Sequence, residues 1–189
     1  MKSYSAYFVR NDDIDSVRQV FNKVEPIAGT GWLMCNLCKD DDPPDDDMLN
    51  GETSLTQERS EQLGEVIFVY GDTSMDTFAY EHAQNGELVR KLVWFQGPDG
   101  DGTLEWLCAD GEPEPWEAAL FRSDNLERLI ERERSHYQDN GRLAEFAARE
   151  AELRQHWATG RISVGRTYPD CDGTAALLVE KSFGINRGW

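Results

Sequence analysis

Two cysteines three positions apart are the first residues whose spacing could do chemistry. Cys35 and Cys38 form a C-x-x-C motif, the spacing that metal sites and redox-active thiols both use. A structural zinc site needs two more ligands, and the sequence has no second C-x-x-C and no H-x-x-x-H pair. The six aspartates between positions 40 and 47 would raise the pKa of a nearby thiol, which opposes redox chemistry. Cys35 and Cys38 are therefore weak metal candidates, and buried cysteines are the favoured interpretation.

The segment from Lys39 to Glu52, KDDDPPDDDMLNGE, carries seven acidic residues and one lysine, a net charge of −6. Its two prolines and its charge repulsion argue against regular structure, so we interpret it as an exposed loop. The carboxylate oxygens of this loop would suit Ca²⁺ or Mg²⁺. Two Asp-Gly turns, around Asp99–Glu105 and Asp170–Asp172, offer the same kind of ligand. None of the three segments has the spacing of an EF-hand. Five residues of the loop are candidate contacts for a cationic partner: Asp41, Asp42, Asp45, Asp46 and Asp47.

Hydrolytic and transfer chemistry has little support in this sequence. There is no G-x-S-x-G motif, no Walker loop and no H-E-x-x-H motif. Asp76, Tyr80 and His82 would line a pocket if their face of the predicted sheet is open, although a histidine near a hairpin end is more often exposed. The balance favours a protein that is not an enzyme.

The tryptophans divide into two groups. Trp94, Trp106, Trp116 and Trp157 fall at inward positions of predicted elements, so we expect them in the core. Trp32 and Trp189 lie outside clear elements and are candidate exposed anchors for a partner.

The element that organises the chain is a β-hairpin around Asn85-Gly86. These two residues tolerate the positive φ angles of a type I′ turn, and apolar-rich runs flank them. Regular pairing from this turn predicts that Glu81 faces Arg90 and that Phe78 faces Val93. It also places Tyr80 and His82 on one face with Lys91, and Glu81 on the other with Arg90.

The remaining patterns predict the elements that surround this hairpin. A strand at 2–10 is followed by a helix ending before Pro26, a short helix covers 54–63, and two helices form a hairpin at about 123–158. A brief strand at 161–164 and a short helix at 174–183 close the pattern. We therefore predict a single α+β domain over residues 1–189, with a mostly antiparallel sheet of four to six strands, a helix after the first strand and a helical hairpin in the C-terminal half.

Charge is the main compositional feature, with 19 basic and 36 acidic residues and a net charge of −17. Such a field repels nucleic acid and anionic membranes and favours basic partners. No apolar run approaches 18 residues and no signal peptide is apparent, so we expect a cytoplasmic protein with free thiols.

These observations predict a non-enzymatic cytoplasmic binding protein that meets a basic protein partner, as immunity-type or inhibitor-type proteins do. No cofactor is expected. Two alternatives stay open: a small metal-dependent enzyme using Asp or Cys ligands, and a domain whose acidity serves only solubility. The sequence leaves the oligomeric state undetermined.

Overall fold

The computed structural model describes residues 3–39, 55–97 and 102–185. Within these residues the chain forms one seven-stranded sheet and five α-helices, which confirms the α+β class with one strand more than predicted. The strands are β1 Ser3–Arg10, β2 Val24–Pro26, β3 Leu33–Lys39, β4 Glu65–Asp72, β5 Thr77–Gln84, β6 Glu87–Gln96 and β7 Leu104–Gly111. The helices are α1 Ile14–Val20, α2 Leu55–Leu63, α3 Ser123–Asp139, α4 Phe146–Thr159 and α5 Ala175–Ser182.

All neighbouring strands of the sheet are antiparallel, in the order β2-β3-β1-β4-β5-β6-β7. The strands β4 to β7 follow one another as a meander, and β1 lies between β3 and β4. The predicted N-terminal strand is therefore a central strand, which explains its almost continuous burial.

The sheet is covered on both faces. On the face that we call the C-terminal face, residues such as Phe8 and Tyr80 pack against α5 and a 3-10 helix at Pro115–Ala119. On the opposite face, the N-terminal face, residues such as Phe68 pack against α1 and α2. The hairpin of α3 and α4 has a separate small core around Leu129 and Leu153. The sheet therefore has no broad face open to solvent.

The Asn85-Gly86 turn has the predicted positive φ angles, 51° and 84°. The predicted strand register, however, is wrong beyond the first two pairs. Ala83 faces Leu88 as expected, but Val89 is an extra residue, so that His82 faces Arg90 and Glu81 faces Lys91. A β-bulge of this kind shifts every later residue by one position.

The bulge exchanges the two faces of β6 relative to the prediction. Arg90 shares the C-terminal face with Tyr80 and His82, whereas Lys91 shares the N-terminal face with Glu81. Both positive side chains are buried there, each beside a carboxylate. Buried cations need such partners. A regular hairpin would have placed Arg90 and Lys91 on the opposite faces of the sheet and so separated each of them from its carboxylate.

The predicted helical hairpin is present, and Gly160 ends α4 in the left-handed conformation with a φ of 60°. The N-terminus of α3 has no side-chain capping hydrogen bond, whereas a capping box joins Glu114 and Glu117 at the 3-10 helix. Within the described residues, no helix combines the length and the hydropathy needed to cross a bilayer.

The two edge strands of the sheet differ: β7 is paired in part with a neighbouring segment, and β2 is short. The predicted strand at 161–164 is absent, but the chain just after it pairs with the outer edge of β7: Trp106 N donates to Arg166 O at 3.0 Å and Gly165 N donates to Trp106 O at 2.8 Å. The opposite edge strand, β2, is three residues long and ends at Pro26, which has no amide hydrogen.

Candidate functional site

The first candidate is a polar cluster buried on the C-terminal face. The imidazole Nδ1 of His82 lies 2.6 Å from Glu114 Oε1, and its Nε2 lies 3.4 Å from Glu65 Oε1. The Tyr80 hydroxyl donates a short hydrogen bond to Glu114 Oε2, which also accepts from Trp116 Nε1 at 3.0 Å. One histidine therefore lies between two carboxylates, and a single glutamate from the loop after β7 connects two strand residues.

The contacts within this cluster shift the pKa values of Glu114 and Tyr80 in opposite directions, which favours a charged Glu114 and a neutral Tyr80. Burial alone would raise the pKa of Glu114, but hydrogen bonds from His82, Tyr80 and Trp116 outweigh it and lower the pKa below its ordinary 4.5. Burial, assisted by the charge of Glu114, raises the pKa of Tyr80 well above its ordinary range. A protonated tyrosine that donates to an ionised carboxylate is a satisfied buried pair.

Two side chains of the cluster are shielded from solvent, whereas Glu65 and Glu114 are partly exposed. Tyr80 is fully buried and His82 is 7% exposed, and neither lines any of the clefts described below. The structure therefore separates Asp76, which lies in the exposed turn between β4 and β5, from Tyr80 and His82. The contacts of this cluster hold two strands and the loop after β7 together.

Two further buried ion pairs flank the cluster. Arg90 binds Glu117 through two hydrogen bonds of 2.9 and 2.8 Å, and it also donates to the carbonyls of Asp110 and Gly111. On the N-terminal face, Lys91 Nζ lies 2.7 Å from Glu81 Oε1, and the Thr56 hydroxyl donates to the other oxygen of Glu81 at 2.6 Å. These contacts join β6 to the elements that cover each face.

The second candidate is a groove along residues 167–172, between α3, α5 and the β4–β5 turn. Its larger part, which we call the larger chamber, has a volume of about 470 Å³ and a mixed lining, in which Leu120, Leu129, Trp157, Ala175 and Leu178 lie beside Asn125, Arg128, Arg132, Asp170 and Asp172. Its second part, the acidic chamber, has a volume of about 400 Å³ and is lined by Asp76, Trp94, Leu104, Arg132, Asp170 and Asp172, among others. The two chambers share Arg132 and residues 170–172, so they form one groove.

The third candidate is a surface, the acidic end of the sheet, defined by Glu61, Glu65, Glu87, Asp110 and Glu112. Glu65 begins β4 opposite Gln84, Glu87 begins β6, and Asp110 and Glu112 lie at the end of β7. The side chain of Glu61 lies next to Gly86. Four of these residues are exposed, and Glu65 is partly exposed. In the described part of the chain, Glu61, Glu87 and Asp110 have no ion-pair partner.

The structure does not bring the predicted metal ligands into a site. Cys35 is fully buried in the N-terminal face, where burial raises the pKa of its thiol to about 12, and Cys38 is partly exposed. All four cysteines are free. Among the described residues, no group of three or more His, Cys, Asp or Glu side chains is placed to hold a metal ion.

Trp32 is a correction to the sequence analysis, because it is not an exposed anchor. Its side chain is 2% exposed and its Nε1 donates to the carbonyl of Phe183 at 3.0 Å, so it belongs to the core of the C-terminal face. The other predicted partner contacts, Asp41, Asp42, Asp45, Asp46, Asp47 and Trp189, lie outside the described residues.

Sequence reasoning missed Glu114 and Glu117 as the residues on which the buried cluster depends. The local signal for them is the run EPEPWE, in which Glu114 precedes and Glu117 follows a proline-tryptophan pair. Asp170 and Asp172 were considered as possible cation ligands in a turn, and the sequence analysis did not single out Arg132, their neighbour in the groove.

Comparison with known proteins assigns no family to this chain: no protein-family model, no curated protein and no solved structure matches it.

Proposed function

We propose that this protein is a non-enzymatic binding protein that engages a basic protein partner through the acidic end of its sheet. The class includes inhibitor-type and immunity-type proteins that neutralise a cationic toxin or nuclease by electrostatic complementarity. A cytoplasmic setting is part of the proposal, since free cysteines suit a reducing compartment.

The observation that carries the proposal is the uneven distribution of charge. Residues 55–122 hold 14 acidic and four basic residues, a net charge of −10, and residues 40–54 add seven acidic residues and no basic one. The helical hairpin at 123–160 holds eight acidic and six basic residues, a net charge of only −2. Acidity that served solubility alone would have no reason to be concentrated in this way.

The helical hairpin also compensates its charges locally, which the acidic end does not. Arg154 pairs with Glu127 and Glu150, and Arg149 pairs with Glu133 and Glu152. At the acidic end, Glu65 and Glu112 have arginine partners, Arg10 and Arg161, while Glu61, Glu87 and Asp110 have none among the described residues. Uncompensated negative charge therefore lies at this end of the sheet, where it would steer a cationic protein.

The burial of Tyr80 and His82 supports a binding role over a catalytic one. The side chains of Tyr80 and His82 bind Glu114 within the fold. The surface carboxylates lie at the ends of strands, where the sheet holds them in place. A rigid scaffold with charges at its rim suits recognition, because the partner binds without reordering the protein.

The test compares two variants of equal charge. One neutralises the acidic end by Glu61→Gln, Glu87→Gln and Asp110→Asn; the other neutralises the helical hairpin by Glu131→Gln, Asp139→Asn and Glu145→Gln. Each is immobilised beside the wild type, exposed to lysate of the source cell at low ionic strength, and eluted with salt.

We expect the wild type and the hairpin variant to retain the same basic protein, and the acidic-end variant to lose it. Elution should require increasing salt, because the attraction is screened within about 10 Å at 0.1 M salt. Equal retention by both variants, or no basic protein retained by the wild type, would overturn the proposal.

A further inference from the structure

The larger chamber of the groove has the size and part of the lining of a small-molecule site. It lies between α3, α5 and the 3-10 helix at Pro115–Ala119, and its volume of about 470 Å³ falls within the range of about 300–1,000 Å³ of such sites. Buried apolar side chains line it, among them Leu120, Leu129 and Trp157. None of its residues belongs to the acidic end of the sheet, so an inference about it does not depend on the proposed partner.

One arginine of this chamber has no carboxylate partner. The structure describes 13 arginines, and 11 of them form an ion pair with a carboxylate of the described residues. The other two are Arg59, whose guanidinium stacks on the rings of Tyr7 and Phe21, and Arg128, which lines the larger chamber. Although acidic residues outnumber basic ones by 36 to 19, Arg128 is thus left for a carboxylate from outside the chain.

Hydrogen bonds within the protein fix the position of Arg128. Its Nη2 donates to the side-chain oxygen of Asn125. Asn125 is itself held, because its side-chain nitrogen donates to the backbone carbonyls of Ala119 and Leu120, at 3.4 and 3.0 Å. The end of the 3-10 helix therefore orients Asn125, and Asn125 orients the guanidinium. Since a guanidinium has five N–H donors, the bond to Asn125 leaves others for a ligand.

The same side of α3 already binds a carboxylate one turn further along. Arg132 follows Arg128 by four residues, so the two are neighbours on the helix surface, and both line the chamber. Arg132 donates to both oxygens of Asp170, at 2.7 and 3.1 Å. The planar guanidinium matches a carboxylate in this two-point geometry. Arg128 presents the same group with no Asp or Glu of the described residues bound to it.

The opposite charge in the lining limits a ligand to one carboxylate. Asp172 lies just before α5 and accepts from the amide and hydroxyl of Thr174, but it has no ion-pair partner in the described part of the chain. A second carboxylate on the ligand would be repelled by this charge. The rest of the ligand therefore has to be uncharged, and the buried leucines of the lining favour an apolar group.

We propose that the larger chamber binds a small organic acid with a single carboxylate and an apolar body. The carboxylate lies against the exposed guanidinium of Arg128, and the apolar body covers the buried side chains of Leu129 and Trp157. An arylalkanoic acid, in which a short chain joins a ring to the carboxylate, has this combination of groups.

The experiment uses the full chain labelled with ¹⁵N and follows the indole N–H signal of Trp157, which is assigned with the variant Trp157→Phe. This N–H donates to the carbonyl of Arg122 at 3.2 Å while the residue lines the chamber, so its signal reports on a ligand beside the ring. The probe is 4-phenylbutyrate. Its neutral match is 4-phenylbutyramide, and butyrate keeps the carboxylate without the ring.

We expect 4-phenylbutyrate to shift the Trp157 signal saturably. The amide should bind about fivefold more weakly, which corresponds to about 1 kcal/mol, the contribution of a favourable exposed ion pair. Butyrate should also bind more weakly than 4-phenylbutyrate, because it cannot cover the apolar lining.

The matched variants are Arg128→Gln and, as a control, Arg142→Gln, which removes an exposed arginine that does not line the chamber. We expect Arg128→Gln to bind the acid and the amide equally, while the control keeps the preference for the acid. Unchanged signals away from the chamber will show that both variants are folded. Equal binding of acid and amide by the wild type, an unchanged preference in Arg128→Gln, or no saturable shift up to about 10 mM 4-phenylbutyrate would overturn the proposal.

Discussion

Arg90 and Glu117 form a bidentate ion pair inside the protein, with side chains that are 2% and 1% exposed. The pair joins the centre of β6 to the 3-10 helix that covers the C-terminal face, and Glu117 Oε1 also accepts the backbone amide of Glu114 at 2.8 Å. Through Glu114 the pair is continuous with Tyr80 and His82. A connected set of buried charges therefore fixes the position of the loop after β7.

Breaking this ion pair should destabilise the fold strongly. Glu117→Gln leaves the guanidinium of Arg90 buried without its counter-charge, which we expect to lower the free energy of unfolding by about 3–5 kcal/mol. Urea denaturation followed by tryptophan fluorescence measures the change. Arg122→Gln, which breaks the exposed pair with Asp124, is the control and should leave stability close to that of the wild type. Similar midpoints for the two variants would contradict this prediction.

Glu114 should make the stability of the protein sensitive to acid. Its pKa is lower in the folded protein than the ordinary 4.5, so its contribution is fully present above that value and is lost as the pH falls through the folded-state pKa. The wild type should therefore lose more stability than Glu114→Gln between pH 7 and pH values below 4.5. Urea titrations at both pH values, with Glu131→Gln as an exposed control, measure this difference. Parallel losses in the wild type and Glu114→Gln would show that Glu114 is not the group responsible.

Two glycines with positive φ should respond very differently to alanine. A Cβ at Gly111 would lie 2.0 Å from the carbonyl oxygen of Val89, whereas a Cβ at Gly160 would meet nothing within 4 Å. Gly160→Ala should cost only the backbone strain of the left-handed conformation, about 1–2 kcal/mol, while Gly111→Ala must also displace the β6–β7 pairing. We expect a clearly lower melting temperature for Gly111→Ala, measured by circular dichroism. Equal melting temperatures would mean that the end of β7 can move away from the bulge at no cost.

The four cysteines should differ in their reactivity toward a thiol reagent. Burial raises the pKa of Cys35 to about 12 and, with the charge of Asp110, that of Cys108 to about 11, and it raises the pKa of Cys171 well above its ordinary value. Cys38 is the partly exposed one. At pH 8 we expect iodoacetamide to modify Cys38 first and the other three only after denaturation, as measured by peptide mass spectrometry. The variant Cys38→Ser, which should then show almost no labelling in the folded state, is the control. Rapid labelling of Cys35 in the native protein would contradict its burial in the core of the N-terminal face.

Local pattern was sufficient for the Asn85-Gly86 hairpin and the helical hairpin, but it wrongly predicted a strand at 161–164 and did not give the pairing that decides the site. The positive φ angles at Asn85 and Gly86 follow from the residue types alone. The extra residue at Val89 does not, because apolar side chains alternate acceptably in either register. Glu117, 27 residues beyond Arg90, selects the observed one, and no local pattern connects the two.

Trp32 and His82 show the same limit in another form. Trp32 was placed at the surface because no helix or strand pattern includes it, yet its hydrogen-bond acceptor is 151 residues away, at Phe183. His82 is at a hairpin end, where exposure is common, but Glu114 and Phe183 cover it. In both cases the covering residue, Phe183 or Glu114, is more than 30 positions away in the sequence. The periodicity of the residues around Trp32 or His82 therefore does not reveal that it is covered.

The two margins of the sheet have a consequence for how this protein meets other molecules. Since β2 is three residues long and ends in a proline, and the backbone of Trp106 in β7 is already paired with residues 165 and 166, part of each margin is closed to an incoming polypeptide. Addition of a strand is therefore less favoured at these positions. The fewer backbone groups a margin offers, the more a partner must be selected by side-chain chemistry.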